Sequence, residues 1–422
     1  MSKFLFFVIL AFFATLITPI QTYARPTHLR VGLVGRFNGS ASITVSNTNI
    51  TYPSGVLNSP DGFIFRPYST DQIAIYNGDD RLRVLSAPLL ISDAGNVITL
   101  DGHSYRGTIE IARLSGTGLT AINIVSLEEY LLSVVPSEMP ATWHAEALKA
   151  QAVAARTYAL YMIAGGSTHT DFDLCDRVCC QVYQGAGVEH ENSSNAVRAT
   201  TGLAAYFNGQ LIEAVYFASS GGATENSENV WRNAVPYLVS VPDPHEFEPV
   251  LWTRTFTLNE ISDLLTQNRQ GFVGAATGVS IGSVLPSGRI ESLIIQGTDG
   301  QIVLEREAVR TFFAPSANGS LMSRSFTING VSSPIAQEVS IFDGSQTITT
   351  QAAGLYIING NRELDLIPPQ TGTASTGDSI TLTGRGFGHG VGMSQRGAEG
   401  MARQGYNFRQ ILSHFYRGIT IQ

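Results

Sequence analysis

A chain of 422 residues, 43% hydrophobic and 14% charged, is long enough to bury large cores, and its length fits about two or three domains. The formal net charge of -8 and the lack of Lys and Arg clusters exclude a general affinity for nucleic acid, because neutralising phosphates needs such clusters. Short Val/Ile/Thr runs punctuated by many of the 42 glycines predict a mixed, strand-rich α+β protein.

The chain opens as an export signal. Lys3 supplies a small positive region, Phe4 to Ile17 is apolar apart from Thr15, and Thr22-Tyr23-Ala24 offers small residues for cleavage, giving a leader over 1–24. An uncleaved anchor is the competing reading, but Thr18 and Pro19 end a stretch that is already short for a bilayer. The protein is therefore expected to be exported to the periplasm or cell envelope and to touch a membrane only through an uncleaved leader.

From about Leu29 to Leu119 the pattern alternates as in strands, for example Leu29-Arg30-Val31-Gly32-Leu33-Val34, Ser42-Ile43-Thr44-Val45 and Gly107-Thr108-Ile109-Glu110-Ile111. This reads as a β-rich N-terminal module over 25–118. At Leu127 the period becomes helical, first in Leu127 to Leu132 and then in a long run from about Trp143 to Ile163, closed by Gly165-Gly166. Strands follow near Leu203 to Tyr206 and Ala214 to Ala218. The stretch 256–382 is again β-like, with turn signals at Asp343-Gly344 and Asn359-Gly360, and two short helices, Gln395 to Arg403 and Phe408 to Tyr416, close the chain.

Candidate chemistry starts at Val134-Val135-Pro136-Ser137-Glu138-Met139-Pro140. Two prolines fix their own φ, and Met139 is pushed to extended backbone by Pro140, so a stiff turn holds the Glu138 carboxylate before an alanine-rich helix. Two roles fit that placement: a catalytic acid, or a carboxylate favoured at the positive end of the next helix. On that helix Lys149 and Arg156 stand seven residues apart, almost two turns, and share one face. The face suits either a polar substrate or solvent.

Cys175, Cys179 and Cys180 lie close together after His169, a spacing unlike a distributed disulfide framework. A His169/Cys175/Cys180 metal site with water or Asp173 as fourth ligand is one reading; a local Cys175–Cys180 bridge or buried thiols is the other. Ser219-Ser220-Gly221-Gly222 lacks the glycine that a serine nucleophile elbow needs, since Phe217 occupies its place, and reads as a substrate-facing loop. In Gly384 to Ala398, glycine at every second position predicts an extended strand with Arg385, Phe387, His389, Val391 and Met393 on one face and close approach on the other. The spacing fails the dinucleotide fingerprint, and no G-K-[ST] follows. A glycine strand packed under a helix accounts for the glycines, but less well for His389 and Gln395.

Together these segments resemble the SpoIID/LytB family of bacterial sporulation and cell-wall remodelling. The resemblance is carried by Glu129-Tyr130-Leu131, Glu138-Met139-Pro140, Trp143, Glu146 through Ala159, Cys180-Gln181-Val182-Tyr183, Ser219-Ser220-Gly221-Gly222 and Gly388 through Gln395. It implies a core divided between 119–255 and 383–422, with a long helix behind a catalytic loop and a β-rich region at 256–382. It also implies a lytic transglycosylase on peptidoglycan glycan strands, with Glu138 in the catalytic position and Lys149, Arg156, Ser219, Ser220, His389 and Gln395 as candidates for holding sugars. Some relatives of this kind modulate a wall amidase instead. No cofactor is required for the chemistry; a structural zinc at His169, Cys175 and Cys180 is implied by some members, and the extra Cys179 departs from their pattern.

Overall fold

The computed structural model describes residues 28–114, 118–329 and 378–422, and the backbone of strands Glu338–Phe342, Thr347–Gln351, Tyr356–Ile358 and Leu364–Leu366. The first two of these strands pair antiparallel, as do the last two. The leader and both turn signals, Asp343-Gly344 and Asn359-Gly360, lie outside the described residues.

Alternation builds the first half into a mixed α+β arrangement. A five-stranded sheet runs in the order Leu174–Cys175, His28–Gly32, Thr120–Ser126, Thr108–Ala112 and Leu89–Ile91. A six-stranded sheet has the order His103–Arg106, Val97–Leu100, Ile43–Val45, Phe63–Pro67, Gln72–Asn77 and Asp80–Ser86. In the strands Ile43–Val45, Phe63–Pro67 and Val97–Leu100 alternate side chains, Ile43, Val45, Phe63, Phe65, Ile98 and Leu100, are buried, as a strand with one dry face requires. These strands share one hydrophobic core with the helices that follow, so the N-terminal strands are part of the platform beneath the site.

Eight α-helices are present among the described residues. Helix α1 (Leu127–Glu138) is started by Ser126, whose hydroxyl accepts the Glu129 N–H. Helix α2 (Ala145–Tyr161) is capped by His144 Nδ1 and runs into a π-helical turn, Met162–Gly166. Its buried Ala147, Ala150, Ala152, Ala154, Ala155 and Ala159 are small enough for neighbouring helices to pack on several sides. Those neighbours are α1, α3 (Glu191–Ala199), and, after α4 (Glu228–Trp231), α5 (Leu258–Gln267) and α6 (Ala308–Thr311), the C-terminal α7 (Gln395–Arg403) and α8 (Phe408–Phe415). No helix of the described residues is long and apolar enough to cross a membrane.

A second core gathers residues between Trp252 and Ile328 with Ile380 and Leu382. Its strand Ser379–Arg385 lies between Leu251–Thr257 and Phe326–Ile328 and leads the chain back toward the first core. Beyond Arg385 the predicted extended glycine strand is not formed. Gly386, Gly388, Gly390 and Gly392 all take positive φ, from 78° to 110°, so the alternating glycines serve a left-handed backbone rather than a bare strand face. Space demands glycine too: a Cβ at Gly392 would meet the Val215 carbonyl oxygen at 2.2 Å, and one at Gly390 the Arg289 guanidinium carbon at 2.6 Å.

Candidate active site

Glu138 is the last residue of α1, with Pro136 inside the helix and Met139 in the extended backbone that precedes Pro140. The expected turn at the mouth of the alanine-rich helix is thus corrected: His144 caps α2, and Glu138 sits at the negative end of α1. That helix end disfavours a carboxylate, the reverse of the pull expected from the positive end. Burial, the largest influence, raises the Glu138 pKa, while hydrogen bonds from the Val182 N–H, Tyr216 and Gln395 partly offset it. The Val182 N–H reaches Oε1 at 2.7 Å.

These donors arrive from three separate parts of the chain. Tyr216 and Phe217 form a short strand parallel to Met393–Ser394, and both Tyr216 and Gln395, the first residue of α7, reach the Glu138 carboxyl. The Gln395 amide is buried and donates to Gln151 Oε1 of α2 at 3.4 Å. Gln181 donates to the Tyr216 hydroxyl at 3.0 Å and to the Ala155 carbonyl at 3.2 Å, and its own Oε1 accepts from Tyr130 of α1 at 3.1 Å. The Glu138 carboxyl therefore ends a network of neutral side chains, with no second carboxylate among the groups that act on it.

Of the predicted sugar-holding residues, Gln395 is brought to Glu138, and the others are placed differently. Lys149 is partly exposed and pairs with Glu146 at 2.6 Å. Arg156 is wholly buried, so neither a substrate-facing nor a solvated role fits it. Its Nε and Nη2 each reach a Glu128 oxygen at 2.8 Å, and its remaining donors meet the carbonyls of Ala152, Val197 and Leu203 and the Thr200 hydroxyl. It is a strut joining α1, α2 and the segment after α3.

Ser219 and Ser220 are buried, which corrects the open substrate-facing loop. Ser219 donates to Glu246 at 2.6 Å and Ser220 to Asp243 at 2.8 Å. Burial pushes the Asp243 carboxyl up to about 6, against the hydrogen bonds from Ser220 and Ser394. Buried Arg289, lowered by desolvation to about 10, donates to the Ser220 and Ala223 carbonyls at 2.6 and 3.3 Å, pinning the second core to this loop.

His389 lies between Phe217 and Trp231, ring centroids 5.4 and 5.0 Å away. Desolvation, helped by Arg310 and Arg289, pushes its pKa down to about 3, so the imidazole is neutral. Its Nδ1 accepts the Val391 N–H at 3.1 Å, and it bonds the Tyr216 backbone. His389 thus braces the strand whose tyrosine touches Glu138.

The cysteines join as Cys175–Cys179, not as the expected Cys175–Cys180 bridge, and Cys180 is a free thiol whose pKa is raised by burial. His169 Nε2 is 3.4 Å from Cys180 Sγ. The ligand atoms of His169, Cys175, Cys179 and Cys180 all lie within 4.8 Å of one another, a three-sulfur, one-nitrogen set of the kind closed zinc sites use. Asp173 accepts the Arg30 N–H and stands outside this group, which includes Cys179, bound to Cys175 through the disulfide.

Gln181, the Val182 N–H, Tyr216 and Gln151 escaped sequence reasoning as site groups. Gln181 and Val182 stood in a segment that carried the family resemblance without a role, and Tyr216 was legible only as part of an apolar strand.

The fold and site define an α+β protein with one half-buried carboxyl held by neutral donors. Residues 115–207 match the model of the SpoIID family, Stage II sporulation protein, and residues 245–345 match a Domain of unknown function (DUF8618). The chain is 30% identical to Stage II sporulation protein D of Bacillus subtilis (strain 168) over 323 residues, covering 72% of this chain and 77% of that protein. An uncharacterized protein of Brachyspira hyodysenteriae (strain ATCC 49526 / WA1) is 30% identical over 335 residues, 79% of this chain and 76% of that one. The Amidase enhancer of Bacillus subtilis (strain 168) is 31% identical over 337 residues, 77% of this chain but 45% of that protein's length. This chain belongs to the SpoIID family.

Proposed function

We propose that this protein is an exported lytic transglycosylase that cleaves the MurNAc–GlcNAc bond of peptidoglycan, with Glu138 as the single general acid and base. The observation that carries this reading is the Glu138 carboxyl itself, raised by burial and surrounded by neutral donors. Protonated Glu138 donates to the glycosidic oxygen as the bond to the muramic acid ring breaks with oxocarbenium character. The resulting carboxylate then removes the proton of the ring's own 6-hydroxyl, which closes on the anomeric carbon and gives a 1,6-anhydro end. A substrate-supplied nucleophile removes the need for a second carboxylate, and none acts on Glu138. The Val182 N–H, Tyr216 and Gln395 stabilise the carboxylate formed midway.

With the Cys175–Cys179 bond reduced, His169, Cys175, Cys179 and Cys180 would hold zinc as a structural clip on the segment that leads into Gln181 and Val182. The test is incubation of purified protein with glycan strands, with and without stem peptides, read by mass spectrometry. Anhydro-muramic ends that vanish in Glu138→Gln support the enzyme. A second reading, an enhancer of a wall amidase, rests on the likeness to the Amidase enhancer; it predicts no cleavage of either substrate and faster turnover by an added amidase.

A further inference from the structure

We propose that Gln181 is a positioning residue: by donating to the Tyr216 hydroxyl it fixes the direction of the phenol's proton, so that Tyr216 donates to Glu138 and to nothing else. This rests on the reading of Glu138 as the reacting acid and names how that acid is held.

The direction follows from which groups are able to donate. The Ala155 carbonyl only accepts, so the nitrogen of the Gln181 amide, 3.2 Å away, is the group that faces it. That orientation puts Nε2 also toward Tyr216, at 3.0 Å, and Oε1 toward the Tyr130 hydroxyl, at 3.1 Å. Both N–H groups of the amide and its oxygen are then engaged, and Gln181 is fully buried, so a flip would set its oxygen against the Ala155 carbonyl oxygen, an acceptor that no rotation turns into a donor. Tyr216, receiving an N–H from Gln181, has one proton left, and it points to Glu138. A backbone carbonyl of α2 thus dictates, through two side chains, that the carboxyl meets a donor. The other ionisable groups acting on Tyr216 are Tyr130 of α1 and Tyr158 of α2, phenols that burial raises further, so neither competes as a charge near pH 7.

The test is Gln181→Glu, which has the same shape but no N–H to give. Tyr216 then turns its proton to the new acceptor and Glu138 loses a donor. The Glu138 titration, followed by carboxyl NMR on selectively labelled protein, should move upward by about one pH unit, and the alkaline limb of glycan cleavage should move with it. Repulsion from a new carboxylate would also raise that titration, so the same change is made in a Tyr216→Phe background. There the upward shift should be largely lost; a shift of equal size in both backgrounds overturns the proposal. Gln181→Met, which adds no charge, guards against a misfolded acidic variant: it should raise the titration in the Tyr216 protein and leave it unmoved in Tyr216→Phe. Because the titration is read without substrate, an inactive but titrating protein overturns the transglycosylase reading and leaves this one standing.

Discussion

Glu138 and Arg156 are both charged residues in the stretch that carries the family resemblance, and the structure treats them in opposite ways. Around Arg156 the charge is cancelled: a carboxylate grips it at two points and four further acceptors surround it. Around Glu138 no cation is supplied; the neighbours are an amide N–H, a phenol and a carboxamide. A charge that is to hold helices together is paired, whereas a proton that is to move needs a site where neither charge state is locked in.

That contrast can be broken in several ways. The largest effect is expected from Glu138→Gln, which should cut glycan cleavage by about 10²- to 10⁴-fold while leaving the thermal midpoint nearly unchanged. Cleavage at the native rate would remove Glu138 from the chemistry. Activity should also fall as pH rises through the raised Glu138 titration, since the acid must begin protonated. Arg156→Met should instead cost stability, about 3–5 kcal/mol by urea denaturation, because Glu128 and three carbonyls lose their buried partner. A loss below about 1 kcal/mol would mean that the strut is not structural.

Asp243 gives a smaller and pH-dependent effect. Its folded pKa of about 6 lies above the unfolded value, so the native state holds the proton more tightly. The stability from that proton is complete below about pH 4 and is lost as pH rises through about 6, an amount on the order of 2–3 kcal/mol. Asp243→Asn should flatten this slope in thermal melts at stepped pH; an unchanged slope would assign it to another group. The smallest effect is expected at Lys149, whose half-exposed pair with Glu146 is worth about 0.5 kcal/mol or less. If it holds sugar, Lys149→Met raises KM a few-fold at constant kcat; an unchanged KM would leave it a surface pair.

Much of the fold was legible because its signals are local. The strand alternation before Leu119 and the helical periods after Leu127 and Gln395 were readable, and Pro140 marked the extended Met139. What escaped was set by long-range packing. A proline at the third-last position of α1 does not end that helix, so Glu138 was assigned to the wrong helix end. Nothing in an arginine's spacing tells a buried strut from an exposed stripe; only the placement of Glu128 opposite it decides. The glycine run was rightly singled out, but its reason, positive φ, belongs to contacts with Val215 and Arg289 far away in sequence.

That glycine run has a consequence for mutational tolerance. Gly386, Gly388, Gly390 and Gly392 combine left-handed backbone with crowded neighbours, while Phe387 between them is 44% exposed. A saturation library over 386–392 should therefore sort by parity, with the four even positions returning almost solely glycine and position 387 accepting many side chains. Natural drift and directed evolution alike have freedom here chiefly at the exposed Phe387.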